Sequence, residues 1–270
     1  INVPSGYYVL LSQRLLHNAG SGVWTNLGNI YGQYGAVVTN SGSWEVRSDA
    51  AMNWFGNGAK VAFLNGGIFS KTGGSGTTTF SDTAFTNTGI LRLDRGTLNF
   101  TSSGQYEQTD GSTILNGGGL SSSPNPIRLL GGTVSGGGNI NGSVLNRGEI
   151  NPGASPGLLT ITGGLSSTGA VNLEIGGLAA GTEFDQVRVS GAATLGGLLN
   201  VTFADGFRPN QGESFRVLTY GSRSGSFFGI SGLDLGDGTS LQPVYTATNL
   251  TLVATNGPTN LLHLTITAPT

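Results

Sequence analysis

The chain has 270 residues, of which only 10% are charged, and its formal net charge is −2. Its 12 lysines and arginines are dispersed, so the sequence lacks the basic stripe that nucleic-acid binding requires. It also has no apolar run of about twenty residues that would span a membrane. The absence of cysteine excludes disulfides, thiolate nucleophiles and cysteine-based zinc sites.

The beginning of the chain and its composition favour export. A chain that starts at Ile1 is typical of a secreted protein whose signal peptide has been removed, and we therefore expect an extracellular or bacterial cell-surface location. The 48 glycines do not follow the period of three that collagen requires. Leu, Val, Ile and Phe are spread along the whole chain, which is typical of a folded protein rather than a disordered one.

Short alternating strands are the main structural signal. In ILRLDRGTLNFTS, apolar and polar residues alternate, and no window of eleven residues keeps a helical apolar stripe. Strands that are interrupted by glycine every eight to twelve residues, roughly, predict an all-β protein.

Residues 1–60 form the first predicted region, an aromatic-rich β cap or a first set of rungs. Tyr8 and Leu10 lie in the apolar, strand-prone stretch YYVLLSQ, and we predict that they belong to an assembly interface. Further along, the region concentrates aromatic residues that could contact carbohydrate. The alternative is that a cap or wide rungs bury them. The candidates for carbohydrate contact are Trp24, Tyr31, Tyr34 and Trp54.

Residues 61–255 form the second predicted region, a parallel β-helix. The triplet Asn-x-Gly recurs with glycines at 28, 42, 89 and 148. Asn and Gly tolerate the left-handed backbone of a sharp corner, so each triplet is predicted to lead into an inward-facing strand. The apolar residues two positions after these glycines, predicted to point inward, are Ile30, Trp44, Leu91 and Ile150.

The repeat length decides between two all-β architectures. Repeats of about twenty residues without a helix predict a single-stranded parallel β-solenoid with extra terminal strands, of about twelve rungs. An antiparallel sandwich or barrel is the alternative. Its hairpins would favour two-residue Asn-Gly or Asp-Gly turns rather than Asn-x-Gly.

Two stretches carry a family resemblance. KTGGSGTTTFSDTAFTNTGILRLDRGTLNF (71–100) and GGTVSGGGNINGSVLNRGEINPGASPGLLTITGG (131–164) resemble repeats of bacterial surface β-helix proteins of the autotransporter-passenger and adhesin type. In that group, Asn-Pro-Gly-x-Ser-Pro-Gly follows a run of Gly-rich rungs, and residues 180–227 are similar to the region that comes next. The resemblance covers about residues 65–255. It implies a β-helix and, less specifically, display at a cell surface.

Catalytic residues are not predicted, and neither is a metal or cofactor. His17 and His263 lie near opposite ends of the sequence, and no Gly-x-Ser-x-Gly motif frames a serine. Glu183 and Asp185 are the best candidates for the alternative function, a carbohydrate-active β-helix that is a polysaccharide lyase, a hydrolase or a carbohydrate-binding module. Glycoside cleavage needs two carboxylates beside one bond, and these two lie on one face of a predicted strand.

Two further surface features have simple interpretations. Arg147 and Glu149 flank a corner glycine and are predicted to form an exposed ion pair. Ice binding would require Thr-x-Thr pairs aligned on every rung. Pairs such as Thr160 and Thr162 are isolated in the sequence, which argues against it.

Residues 256–270 form the third predicted region, an extra strand in which Leu262, Leu264 and Ile266 alternate with polar residues. This strand either caps its own rod or completes a neighbouring copy, and its three apolar residues are predicted interface residues. The sequence thus predicts a non-enzymatic extracellular rod that acts as an adhesin, sheath or self-assembling filament subunit. Its expected partners are further copies of itself, with carbohydrate or a host or cell surface as possible targets.

Overall fold

A computed structural model describes residues 2–153, 156–236 and 238–256. Over these ranges the chain forms 32 β-strands and no helix. The strands lie in three sheets, one of 12 strands and two of 10. Each sheet is built from every third strand of the chain, and the last strand, β32, joins the first sheet in addition.

The strands are numbered in chain order. The first sheet contains β1 (Tyr8–Ser12), β4 (Asn29–Gln33), β7 (Ala51–Trp54), β10 (Thr77–Ser81), β13 (Thr97–Thr101), β16 (Gly119–Ser123), β19 (Asn139–Asn141), β22 (Leu158–Ile161), β25 (Gln186–Val189), β28 (Ser214–Thr219), β31 (Thr239–Tyr245) and β32 (Asn249–Asn256). The second contains β2 (Leu15–Asn18), β5 (Val37–Asn40), β8 (Ala62–Asn65), β11 (Ala84–Asn87), β14 (Gln105–Gln108), β17 (Ile127–Leu129), β20 (Val144–Asn146), β23 (Leu165–Ser167), β26 (Ala192–Leu195) and β29 (Ser222–Gly225). The third contains β3 (Ser21–Trp24), β6 (Ser43–Val46), β9 (Ile68–Lys71), β12 (Ile90–Leu93), β15 (Ser112–Asn116), β18 (Thr133–Gly137), β21 (Glu149–Pro152), β24 (Ala170–Ile175), β27 (Leu198–Phe203) and β30 (Gly229–Ser231).

This arrangement confirms the predicted parallel β-solenoid, with ten rungs of three strands each. At a strand spacing of about 4.8 Å, ten rungs make a rod roughly 45 Å long. The sequence-based number of twelve rungs was too high because it divided the whole chain into rungs, whereas the ten rungs lie between Tyr8 and Ser231. The rungs also differ in length. Phe80 pairs with Phe100, 20 positions later, whereas Val187 pairs with Leu218, 31 positions later.

One part of the region predicted as parallel β-helix is antiparallel. β31 and β32 form a hairpin, and β32 pairs antiparallel with β28 at the edge of the first sheet. The polar turn Thr246–Asn249 closes this hairpin through a hydrogen bond from the Thr246 N–H to the Asn249 carbonyl, 2.8 Å long. The hairpin buries Leu241, Leu250 and Leu252 at that end of the rod.

The predicted inward positions are buried. Ile30, Trp44, Leu91 and Ile150 are each at most 3% exposed. In the middle of the rod, aromatic side chains fill the core. The rings of Phe63 and Phe85, on neighbouring rungs of the second sheet, are stacked with centroids 4.9 Å apart. Burial of large rings on successive rungs stabilises this part of the coil.

Most of the recurring asparagines do not provide left-handed corners, as their sequence pattern predicted, but line the core. Asn40, Asn65 and Asn87 are buried and point into the core. Each side-chain amide donates to the amide oxygen of the next rung, over 2.7 Å from Asn40 to Asn65 and 2.7 Å from Asn65 to Asn87. These asparagines do not have positive φ; of the Asn-x-Gly asparagines, only Asn26 does, at 63°. The motif therefore marks an internal amide ladder that satisfies buried polar groups.

The glycines of the same motif stack in a column at the corner between the second and third sheets. A Cβ at Gly42, Gly67, Gly89 or Gly148 would lie within 3.0 Å of backbone atoms of the preceding rung. Gly28 lies at a different corner, where it faces Val3. Close approach of two backbones, rather than left-handed geometry, explains why glycine occupies this column.

One charged side chain is buried inside the rod. Lys71, at the end of β9, has a fully buried ammonium group. Its Nζ donates to the Asp49 carboxylate at 2.8 Å, to the Ser48 carbonyl at 2.9 Å and to the Gly73 carbonyl at 3.0 Å. Thr78 also accepts from this Nζ, at 3.1 Å. Burial of this charge is tolerated because its donors all have acceptors.

Candidate functional site

One end of the described rod exposes apolar side chains beside strands that are paired along one edge only. In the described ranges, β1 and β2 have a neighbour on one side only, β4 and β5 respectively. Tyr8 and Leu10, the predicted assembly residues of the first region, are 54% and 38% exposed on β1. Val9 lies in the inward column, in register with Ile30, and is still 38% exposed. This end presents both free backbone hydrogen-bonding groups and apolar surface.

An aromatic cluster continues this surface onto the outer face of the first sheet. The rings of Tyr8 and Tyr31 meet edge to face at 5.3 Å, and those of Tyr31 and Phe55 meet edge to face at 5.5 Å. Phe55 is 41% exposed. Tyr31, a predicted carbohydrate contact, therefore belongs to a partly exposed cluster that also includes the predicted interface residue Tyr8.

The other predicted carbohydrate contacts do not form one surface. Trp24 is buried, and its indole N–H donates to the Gly28 carbonyl at 3.2 Å, so its inclusion in the set was wrong. Trp54 is half-buried, with the Lys60 ammonium 5.4 Å from its ring centroid. Tyr34 is exposed and packs against Gly58 in a neighbouring loop. Burial of Trp24 follows from its inward position in β3, in register with Val46.

A second candidate site is a groove on the outer face of the third sheet. Its wall is an external amide ladder on three rungs. The Asn172 amide donates to the Asn151 amide oxygen at 2.7 Å, and the Asn200 amide donates to that of Asn172 at 2.8 Å. Glu174 and Asp185 also line this groove. It is thus a concave surface that holds two carboxylates, which the sequence did not indicate.

Asp185 is buried at the base of the groove and is held by the backbone. Its two oxygens accept from the Gly157 N–H at 2.6 Å and from the Glu174 N–H at 2.8 Å. Burial raises the pKa of Asp185 to about 6, and the charge of Glu174 adds to the rise, although both backbone donors oppose it. These bonds join the Gly157 segment to β24, so the carboxylate has a structural role at this site.

The predicted pair of Glu183 and Asp185 does not act together. Glu183 accepts from the N–H groups of Leu178 and Ala179, both at 2.9 Å, and so closes its own loop. Sequence reasoning placed both residues on one strand, but β25 begins only at Gln186. Asp185 has Glu174 as its carboxylate neighbour instead.

The remaining predicted polar residues lie apart from both sites. His17 is on the outer face of β2, where its Nδ1 is 2.7 Å from the Thr39 hydroxyl. Glu149 accepts from the Asn172 amide at 3.1 Å and forms no ion pair with Arg147, so the predicted cross-corner pair was wrong. In the described part of the chain, no three histidines or carboxylates converge as metal ligands. The predicted residues His263, Leu262, Leu264 and Ile266 lie outside the described residues.

The raised pKa of Asp185 predicts a pH-dependent stability. The folded chain holds this proton more tightly than the unfolded chain, in which the pKa of an aspartate is about 3.9. The free energy of unfolding should therefore fall as pH rises from about 4 to about 6, by at most about 3 kcal/mol from this group. In urea titrations at pH 4, 5, 6 and 7, the difference in unfolding free energy between the parent and Asp185→Asn should change over pH 4–6. A difference that stays constant with pH would show that Asp185 does not titrate there.

The fold and these surfaces define the chain as a parallel β-solenoid with an apolar rod end and a lateral groove that holds two carboxylates. None of the described residues belongs to a helix that could cross a membrane. No protein-family model and no curated protein sequence matches the chain. Its functional interpretation therefore comes from the residues and their geometry.

Proposed function

We propose that this protein is a non-enzymatic extracellular structural protein, a stiff rod that joins head to tail with further copies of itself. The observation that carries the proposal is the exposed rod end, where β1 has exposed apolar side chains and, among the described strands, no neighbour along one edge. Such an edge is a template for another strand. The sequence resemblance to bacterial surface β-helix proteins supports placement at a cell surface, where such a rod would serve as an adhesin, sheath or filament subunit.

The proposed partner for this edge is the segment 257–270 of a second copy. Leu262, Leu264 and Ile266 alternate with polar residues, which is the pattern of a strand with one apolar face. Strand addition would supply backbone hydrogen bonds to β1 and cover Tyr8, Val9 and Leu10. A contact that joins the tail of one copy to the head of the next generates an open filament unless its rotation closes a ring.

Deletion of residues 257–270 tests this proposal. We expect the full chain to form linear polymers under the electron microscope and the deleted chain to remain as single rods, because the donated strand is missing. Circular dichroism should show that the deleted chain keeps the β structure of the rod, since the ten described rungs do not include this segment. Polymers of unchanged length after deletion would contradict strand donation.

The groove favours a second candidate, a carbohydrate-active β-helix. Glu174 and Asp185 line one concave surface, and the pKa of Asp185 is raised to about 6. Displaced carboxylic pKa values are common in enzyme sites. The two backbone hydrogen bonds to Asp185 favour the structural role over the catalytic one. If the parent released reducing ends from a polysaccharide and Glu174→Gln did not, the catalytic role would be favoured over the structural one.

A further inference from the structure

Four asparagines of the chain are followed directly by glycine: Asn57, Asn116, Asn141 and Asn256. In such a pair the backbone nitrogen of the glycine can attack the asparagine side chain, because glycine has no Cβ to hinder the approach. Gly257, which follows Asn256, lies outside the described residues. The other three asparagines are all exposed, so water reaches each of them. Their hydrogen bonds distinguish them.

Two of these side chains are held by a partner. The Asn57 amide donates to the Gln33 amide oxygen at 2.9 Å. The Asn116 amide donates to the Asp94 carboxylate at 2.8 Å. Each side chain must give up its hydrogen bond before its amide carbon can turn toward the backbone nitrogen of the next residue, and the lost bond adds to the barrier of the reaction.

Asn141, the last residue of β19, is the exception. Its side chain forms no hydrogen bond with a described residue. The backbone N–H groups of Gly58, Gly117 and Gly142 have no acceptor within the described ranges, so the nucleophile is equally available at all three pairs. The asparagine side chain therefore makes the difference, and among the three only that of Asn141 reaches the reactive position without losing a hydrogen bond.

The coil requires a glycine after Asn141. The φ angle of Gly142 is +141°, and a Cβ at this residue would lie 2.3 Å from the Ser122 carbonyl oxygen of the preceding rung. A larger residue, which would slow the attack, is therefore excluded at this position by the stacking of the rungs. The reactive pair follows from the architecture of the rod.

We propose that Asn141 is a site of spontaneous deamidation, at which an aspartate or isoaspartate replaces the asparagine. The Gly142 nitrogen forms a bond to Cγ of Asn141, and its proton ends on the side-chain nitrogen, which leaves as ammonia. Water then opens the resulting succinimide ring at one of its two carbonyl carbons. The net reaction takes up one water and releases one ammonia, and it needs no oxidant or cofactor. This inference is independent of filament formation.

The modification changes both the backbone and the charge of the rod. Isoaspartate adds one backbone carbon between residues 141 and 142. The Gly163 N–H donates to the Gly142 carbonyl at 3.2 Å, so this contact between neighbouring rungs is displaced. Either product also places a negative charge on the outer face of the first sheet, beside Ser121. We expect the modified rod to melt at a lower temperature than the unmodified one.

Peptide mapping by mass spectrometry measures the deamidation rate at each pair while the folded parent is incubated at mildly alkaline pH. We expect Asn141 to react about tenfold faster than Asn57 and Asn116, which corresponds to the loss of one hydrogen bond at the slower pairs. In concentrated urea the three rates should converge, since unfolding removes the partners of Asn57 and Asn116. Asn141→Gln should abolish the reaction at this pair, because glutamine would have to close a larger ring.

Asp94→Ala tests the cause of the difference. It removes the acceptor of the Asn116 amide and should bring the rate at Asn116 close to that at Asn141, while the rate at Asn57 stays unchanged. Circular dichroism verifies that this variant folds. Equal rates at the three pairs of the folded parent would overturn the proposal. A preference for Asn141 that persists in urea, or a rate at Asn116 that Asp94→Ala leaves unchanged, would overturn its structural basis.

Discussion

Replacing Gly67 with alanine is expected to destabilise the rod strongly, whereas replacing its neighbour Gly66 is not. A Cβ at Gly67 would lie within 3.0 Å of backbone atoms of Ser41 and Gly42. These atoms cannot move apart without breaking the ladder, because the Ile68 N–H donates to the Gly42 carbonyl at 2.8 Å. Steric conflicts of this kind belong to the exceptional class that costs about 4 kcal/mol or more. That is a large share of the 5–15 kcal/mol, roughly, that holds a domain together.

Gly66 provides the matched control. A Cβ there would have its nearest neighbour, the Thr88 hydroxyl, at 3.6 Å, which is ordinary contact. Gly66→Ala should therefore leave the stability unchanged or raise it by up to about 1 kcal/mol, because alanine restricts the unfolded chain. Urea unfolding followed by circular dichroism measures both variants. Equal midpoints for the two would refute the close-packed glycine column.

Replacing Lys71 with methionine is the second change for which we expect a large effect. Methionine fills a similar volume but leaves Asp49 and the Ser48 and Gly73 carbonyls without the ammonium that they contact. Removing one partner of a buried ion pair costs about 3–5 kcal/mol of unfolding free energy. The groups left behind lose their ion pair and hydrogen bonds, which water cannot fully replace. Asp49 is 31% exposed, so part of its charge is rehydrated and we expect a value near the lower limit, about 3 kcal/mol.

Lys60→Met is the corresponding exposed control. Lys60 also pairs with an aspartate, Asp82, at 2.8 Å, but its side chain is 45% exposed. Its removal should cost no more than about 1 kcal/mol. Thermal unfolding of the two variants in the same buffer gives the comparison. If Lys60→Met lowers the stability as much as Lys71→Met does, burial does not determine how much these ion pairs contribute to stability.

The sequence was sufficient to predict the coil but not the chemistry of its corners. Alternation placed Ile30, Trp44 and Leu91 correctly because most inward strand positions of the coil carry an apolar side chain. The amide ladder of Asn40, Asn65 and Asn87 depends on which rungs lie next to each other. The Asn-x-Gly motif is visible in the sequence, but which asparagines bond to one another depends on how the rungs stack. Lys71 shows the same limit: it follows Phe69 by two positions, as an inward residue does, but its charge indicates an exposed position.

Long-range register also explains what was missed at the candidate sites. The groove joins Asn151, Asn172 and Asn200, which are separated in sequence by 21 and 28 positions. The exposed end with Tyr8 and Leu10 was easier to predict because its apolar residues are contiguous. Their role in assembly remains a prediction.

The central claim is that segment 257–270 of one copy adds to β1 of another, and cross-linking between separate copies tests it most directly. The chain has no cysteine, so any disulfide that forms must join introduced cysteines. Leu10→Cys and Leu264→Cys are prepared as two separate variants, mixed and oxidised. Mixing is needed because fourteen residues span up to about 45–50 Å, enough for the segment to fold back along its own rod. We predict a disulfide-linked pair that contains one copy of each variant. A mixture with no such pair, in which each variant stays monomeric or links only to itself, would contradict the account.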